Sequence, residues 1–248
     1  MDTDVWILGG YQSDFARNLT KEGLDFADLT REIVDAALAA ANVNAGDIGV
    51  VHVANAFGEM FAEQGHLGAM PATVCDGLWD TPASRHEAAC ASGSVAALAA
   101  MADLRSGNYD TALVLGVELE KTVSGDTAAR HLGAAAWKGH EGADAKFLWP
   151  SMAIDHIGLT GPGESWKAVE NGEIENGGRL PINPSGGLIG GGHPVGASGV
   201  RMLVDAAKQV SGAAGEYQVE DAKTFGTLNF GGSTATTVSF VVSTTEGS

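Results

Sequence analysis

The chain has 248 residues, enough for one large α/β domain or two small ones, and its 44% hydrophobic and 18% charged residues exclude an intrinsically disordered protein. Its net charge of −17 repels nucleic acid and anionic membranes, so neither is an expected partner, and no apolar run is long enough to span a bilayer. The two cysteines form no CxxC pair and the acidic start carries no apolar signal core. We therefore expect a cytoplasmic protein with free thiols.

The predicted elements of the first half alternate between strand and helix. Apolar runs predict a short buried strand over residues 5–8, a second strand over 49–56 and a third over 111–117 that is covered on both faces. Apolar residues at helical spacing predict an amphipathic helix over residues 25–41 and another helix over 92–105. This alternation favours an α/β layer fold with a mainly parallel sheet.

The second half has a different pattern. Residues 158–199 are rich in Gly and Pro, and we expect mostly loop there. A helix is predicted over residues 198–210, and apolar runs predict strands over residues 225–230 and 236–242.

Two turns built from small residues form a loose internal repeat. The segment 90–93 (Cys-Ala-Ser-Gly) opens one predicted helix, and the segment 196–199 (Gly-Ala-Ser-Gly) opens another. Each helix ends in Ser-Gly and leads to an apolar strand. The repeat predicts two duplicated halves, and a chance match of small residues is the alternative.

Cys90 is the first candidate catalytic residue. It is flanked by small residues, which would let a substrate approach, and a predicted helix begins just after it. A thiol at a helix N-terminus meets unpaired N–H groups and the positive end of the helix dipole, so we expect its thiolate to be stabilised. A buried structural cysteine in a tight turn is the alternative, and it is the commoner case for an isolated cysteine.

His193 is the second candidate. It stands between Gly192 and Pro194 in a glycine-rich loop, and Pro194 restricts the backbone of His193 to extended conformations. A histidine fixed in this way can act as the base for a cysteine that is remote in sequence. The alternative is a histidine that hydrogen-bonds to loop carbonyls.

Together, the Cys-Ala-Ser-Gly turn and the Gly-His-Pro-Val-Gly-Ala-Ser-Gly loop at 192–199 resemble two segments typical of the thiolase family. The resemblance is to the branch of acetyl-CoA acetyltransferases and sterol-carrier-protein thiolases. It divides the chain into an N-terminal thiolase half, residues 1–152, with the nucleophile, and a partial C-terminal half, residues 153–248, with the Gly-His-Pro loop. The fold it implies has αβαβα layers in two similar halves.

The resemblance also implies roles. Cys90 resembles the nucleophile that accepts the acyl group, and His193 resembles the histidine that deprotonates it. The N–H groups of Cys90 and Gly231 would stabilise the oxyanion, with Asn229 beside them. Acyl-CoA and coenzyme A would be the substrates, no cofactor would be needed, and the protein would be a homodimer or tetramer.

The chain departs from the family at two places. Family members usually have a second, acid/base cysteine in a Cys-x-Gly turn, where this chain has Asn229-Phe230-Gly231, and an amide does not exchange a proton near neutral pH. After Met152 the family continues through a substrate-covering region and further core strands, whereas this chain passes directly to Ala153. A central segment is therefore missing relative to the family pattern.

Other functions stay open at this point. A ketosynthase-like condensing enzyme would use a malonyl or carrier-bound donor, and a non-catalytic subunit would assemble with a partner such as an OB-fold protein. A metal site at His86 and Cys90 is rejected because no further ligand clusters with them. Coenzyme A is anionic, so local basic residues would have to hold it. The nearby candidates are Arg85, Lys138, Lys146, Lys167, Arg179 and Arg201.

Overall fold

The computed structural model describes residues 4–136, 138, 150–232 and 235–244. The strands are β1 (Val50–Ala54), β2 (Ala83–His86), β3 (Ala112–Gly116), β4 (Thr224–Gly231) and β5 (Thr236–Ser243). The helices are α1 (Leu19–Glu22), α2 (Phe26–Ala41), α3 (Gly58–Ala62), α4 (Met70–Val74), α5 (Ser92–Arg105), α6 (Gly125–Gly133), α7 (Pro150–His156), α8 (Ser165–Glu170), α9 (Gly187–Gly191) and α10 (Ser198–Ser211).

The first sheet is parallel, with the strand order β2-β1-β3. Helix α2 begins with a capping box between Asp25 and Asp28 and places Phe26 and Val34 in the core beside Val51 of the central strand. Burying each such side chain stabilises the fold by roughly 1.5–3 kcal/mol. The predicted parallel α/β arrangement is confirmed.

Helices α5 and α10 pack against each other between the first sheet and a second, antiparallel sheet of β4 and β5. Their first turns meet at two glycines, since a Cβ on Gly93 would lie 2.5 Å from the backbone nitrogen of Val200 and 2.9 Å from the Cα of Gly199. The two small-residue turns thus lie against each other, and the duplication of the two halves stays a prediction. This contact brings the segments that carry Cys90 and His193 together.

The predicted buried strand at residues 5–8 is wrong. The segment has no regular secondary structure, and Trp6 and Leu8 are 62% and 61% exposed. Neither described sheet contains a strand that pairs with it, and an apolar run without a hydrogen-bonding neighbour does not form a strand.

Helix α7 runs through the Met152–Ala153 junction, so the chain crosses this point within one element. The outer face of the second sheet is open to solvent, and Val241 on β5 is 74% exposed. In the described part of the chain, no helix combines the length and apolar character needed to cross a bilayer.

Candidate active site

Cys90 lies in a short 3₁₀ turn, Ala89–Ala91, directly before α5. The turn is closed by Ser92, whose hydroxyl accepts a hydrogen bond from the N–H of Ala88 at 2.9 Å and donates one to the carbonyl of Ala89 at 2.6 Å. Ala89 has φ 48°, a left-handed conformation that costs a non-glycine residue about 1 kcal/mol. The fold therefore holds Cys90 in a hydrogen-bonded turn beside a strained residue, and the helix predicted to begin just after Cys90 is present.

The expectation of a stabilised thiolate is wrong in sign. Burial raises the pKa of the Cys90 thiol, and the nearby carboxyl groups of Glu120 and Glu118 raise it further. The N–H groups of Gly232 and of Cys90 itself act in the opposite direction but do not outweigh burial. Cys90 rests as a neutral thiol, so it needs a base to become a nucleophile.

His193 lies beside this thiol. Its Nε2 lies 3.3 Å from the Sγ of Cys90, although 103 positions separate the two residues in sequence. Its Nδ1 lies 2.7 Å from the hydroxyl of Ser198, and that hydroxyl donates to the carbonyl of Pro194 at 3.0 Å. Because the single hydroxyl hydrogen of Ser198 is used in this way, Nδ1 carries the imidazole hydrogen and Nε2 is free to accept the thiol proton.

The charge state of His193 suits the same role. Burial lowers its pKa, and the positive charge of Arg201 lowers it further. Arg201 is itself buried and donates to the carbonyl of Gly187 at 3.2 Å, beneath the glycine-rich loop. The imidazole is therefore neutral near pH 7, the form that can accept a proton.

Two carboxyl groups beyond the end of β3 hold the His193 loop from behind. Glu120 accepts a hydrogen bond from the N–H of Val195 at 2.9 Å, and Glu118 accepts one from the N–H of Gly196 at 3.2 Å. Glu118 also accepts from the N–H groups of Ala56 and of Phe57. Burial raises the pKa of Glu118 to about 8, and its second oxygen is buried without a hydrogen-bond partner.

Sequence reasoning missed Glu118, Glu120 and Ser198. Two acidic residues directly after a strand covered on both faces were the available signal, because functional groups gather at the carboxyl ends of parallel strands. Their partners lie about 75 positions further along the chain, so the contacts themselves were not readable from the sequence.

An apolar wall adjoins the sulfur. Cys90 packs against a buried cluster formed by Phe57, Phe61 and Val195. The ring of His131, on α6, stands edge-on to Phe61 at 5.0 Å. Such a surface can take a small apolar group beside the thiol.

Gly231 and Asn229 lie on β4, behind the Cys90 turn. A Cβ on Gly231 would overlap the carbonyl oxygen of Ala88, so only glycine allows the strand to approach this closely. The N–H of Gly232, one residue after the predicted Gly231, lowers the pKa of the Cys90 thiol against the effect of burial. Asn229 is buried and accepts a hydrogen bond from Ser94 at 2.8 Å, so it ties β4 to the first turn of α5.

The predicted basic residues that the structure describes lie in different surroundings. Three of them form ion pairs with acidic residues: Arg85 with Glu59, Lys167 with Glu164 and Arg179 with Glu173. Lys146 lies outside the described residues. Lys138 is exposed, and Arg201 is buried under the loop. His86 lies 2.9 Å from His52, and the described residues contain no group of three or more side chains arranged to hold a metal.

Comparison with known proteins places the chain in a family. A model of the thiolase N-terminal domain matches residues 5–160, and a model described as thiolase C-terminal domain-like matches residues 122–244. The acetyl-CoA acetyltransferase of Methanocaldococcus jannaschii is 33% identical over 161 residues, covering 63% of this chain and 40% of the relative.

Two shorter matches agree with it. The acetyl-CoA acetyltransferase of Methanothermobacter thermautotrophicus is 40% identical over 85 residues, which is 34% of this chain and 22% of that protein. Sterol carrier protein 2 of Bos taurus is 43% identical over 72 residues, which is 29% of this chain and 13% of that protein. The chain thus spans less than half the length of these relatives. Since the N-terminal model alone covers more than half of the chain, the resemblance seen in the sequence is confirmed, and the chain belongs to the thiolase family.

Proposed function

We propose that the chain is an acyl-CoA acetyltransferase of the thiolase type, in which an acyl group is transferred through a thioester on Cys90. The observation that carries the proposal is the 3.3 Å contact between the Sγ of Cys90 and the Nε2 of His193. His193 takes the thiol proton, the thiolate attacks the carbonyl of an acyl-CoA, and the departing coenzyme A thiolate takes the proton back from His193. The acyl group then stays on Cys90.

The oxyanion of this step would be stabilised by the N–H groups at the sulfur, those of Cys90 and Gly232. Gly231 would contribute by letting β4 approach the turn closely enough to present its neighbour. The first turns of α5 and α10, together with the apolar wall at Phe57 and Phe61, would complete a site for a small acyl group.

The finer expectations from the family are part of the same proposal. The coenzyme A thioester is the substrate, and the chemistry assigned to Cys90 and His193 uses no other cofactor. A homodimer or tetramer and a cytoplasmic location follow from the family resemblance and from the free thiols Cys75 and Cys90. The OB-fold partner belongs to the non-catalytic alternative.

Acylation can be tested directly by incubating the protein with acetyl-CoA and measuring its mass. We expect one acetyl group, located on Cys90 by peptide mapping, and none in a folded Cys90→Ala variant. Cys75 is a second free thiol in the same sample and serves as an internal control. Acetylation of Cys75 instead, or of neither cysteine in folded protein, would rule the proposal out and favour the assembly subunit.

The choice of the extending substrate separates the proposal from the ketosynthase-like alternative. A thiolase condenses its acyl-enzyme with acetyl-CoA, whereas a decarboxylating enzyme requires malonyl-CoA. Product formation from acetyl-CoA alone supports the thiolase reaction. Dependence on malonyl-CoA contradicts it.

A further inference from the structure

Among the residues that the structure describes, only one carboxylate oxygen of Glu120 has a hydrogen-bond partner. One oxygen accepts the N–H of Val195 at 2.9 Å. In the described part of the chain, Glu120 forms no ion pair, and its other carboxylate oxygen forms no hydrogen bond. That oxygen is also not one of the fully buried polar atoms that lack a hydrogen-bond partner, such as the second oxygen of Glu118. Lys121, the adjacent cation, turns away and donates instead to the carbonyls of Phe15, Ala16 and Arg17.

The position of Glu120 connects it to the reacting atoms. Val195, which holds the carboxylate, packs in the same apolar cluster as Cys90 and follows His193 by two residues. The backbone of Val195 thus links the Glu120 carboxylate to the segment whose side chain lies against Cys90. Glu120 also acts on the charge of the Cys90 thiol more strongly than Glu118 does.

The proposed reaction needs a group that this chain has not yet been shown to have. After Cys90 is acylated, condensation requires a second base to take an α-proton from the next acyl-CoA, and the amide of Asn229 cannot do so. We propose that Glu120 is this second acid/base. The inference rests on the proposed function, because it concerns the second half of the same reaction.

In the condensation step Glu120 would first accept one proton and then return it. The Glu120 carboxylate removes one α-proton of the second acyl-CoA, and the α-carbon attacks the carbonyl of the thioester on Cys90. A carbon–carbon bond forms, the carbon–sulfur bond to Cys90 breaks, and the Cys90 thiolate leaves. The proton held by Glu120 then returns to that thiolate, so both residues regain their starting forms.

The electrostatics of the pocket support this role. Burial raises the pKa of Glu120, while the N–H of Val195 opposes the shift. A base with a raised pKa holds a proton more strongly, and general acid/base catalysis favours a pKa near the working pH. In the described part of the chain, the ionisable groups that Glu120 influences are Cys90 on the turn before α5 and Glu118 on the same segment.

The test separates the two half-reactions in the full chain. Acylation is followed by the single-turnover acetylation of Cys90, and α-proton removal by the exchange of deuterium from D₂O into acetyl-CoA. The variant is Glu120→Gln, whose amide oxygen can still accept the N–H of Val195. Glu170→Gln, at an exposed site on α8, is the matched control.

We expect Glu120→Gln to lose about 100-fold or more in deuterium exchange and condensation while Cys90 is still acetylated. Glu120→Asp should recover part of the exchange, and wild-type exchange should rise with pH as the carboxyl ionises. Exchange within threefold of wild type in Glu120→Gln would overturn the inference. So would equal losses in both half-reactions, because Glu120 would then only position the His193 loop. Absence of Cys90 acetylation in the wild type is a different result, since it contradicts the proposed function itself.

Discussion

The turn that carries Cys90 and the loop that carries His193 lead into helices with the same Ser-Gly start, but the fold holds them in different ways. The Cys90 turn is closed by the hydrogen bonds of Ser92 and is fixed to its surroundings by close packing of small residues, with Gly93 against the backbone of α10 and Gly231 against the carbonyl of Ala88. The His193 loop is fixed mainly by polar contacts. The groups involved are Glu118, Glu120, Ser198 and Arg201.

This difference assigns different work to the two regions. Packing against backbone leaves little freedom, so it suits a nucleophile whose sulfur must stay beside two N–H groups. Hydrogen bonds to ionisable groups also set charge, so they suit a base whose tautomer and protonation decide the reaction. Substitutions in the closely packed Cys90 turn should therefore lower the free energy of unfolding, and substitutions around the His193 loop should lower the rate of Cys90 acetylation.

The largest expected effect is on the packed side. Gly93→Ala would place a methyl group 2.5 Å from the nitrogen of Val200, a backbone atom that cannot rotate away. We expect a loss of about 1–3 kcal/mol or more in the free energy of unfolding, measured by urea denaturation. Gly65→Ala is the matched control, because nothing lies within 4 Å of its Cβ position. Equal stability of the two variants would show that α5 and α10 do not meet at Gly93.

The next effect is on the polar side. Ser198→Ala removes the hydroxyl that receives the Nδ1 hydrogen of His193, so the imidazole loses its fixed tautomer and orientation. We expect the rate of Cys90 acetylation to fall by roughly 10–100-fold with little change in KM, measured by rapid-quench mass spectrometry. Ser211→Ala, at the exposed end of the same helix, should leave the rate unchanged. An unchanged rate in Ser198→Ala would remove Ser198 from the site.

The same contrast explains how much the sequence could predict. Helix α5 and strands β1 and β3 were foreseen because their patterns depend on near neighbours, and Cys90 and His193 were found because short motifs surround them. Residues 5–8 were misassigned because strand formation depends on a partner strand, which sequence periodicity does not reveal. The raised pKa of Cys90 was missed for a similar reason, since burial raises it and the contacts that bury Cys90, with Phe57 and Val195, are remote in sequence.

The smallest expected effect concerns pH and Glu118. Burial raises its pKa to about 8 in the folded protein, from an ordinary value of 4.5. At pH 7 the folded state therefore holds a proton that the unfolded state has lost, and the stability linked to that proton is lost as the pH rises through the folded pKa. We expect the free energy of unfolding to be lower at pH 8 than at pH 7 by roughly 1 kcal/mol, measured by urea denaturation.

A single substitution can show whether Glu118 causes this change in the free energy of unfolding between pH 7 and pH 8. Glu118→Gln imitates the protonated carboxyl and should flatten the dependence between pH 7 and 8, while Glu170→Gln should keep it. His193 contributes little in this window, because burial lowers its pKa and its linked stability changes below its usual range near pH 6.5. If Glu118→Gln keeps the full slope, Glu118 is ionised in the folded protein at pH 7. The three N–H groups that it accepts would then outweigh its burial, and it would hold the His193 loop as a charged group.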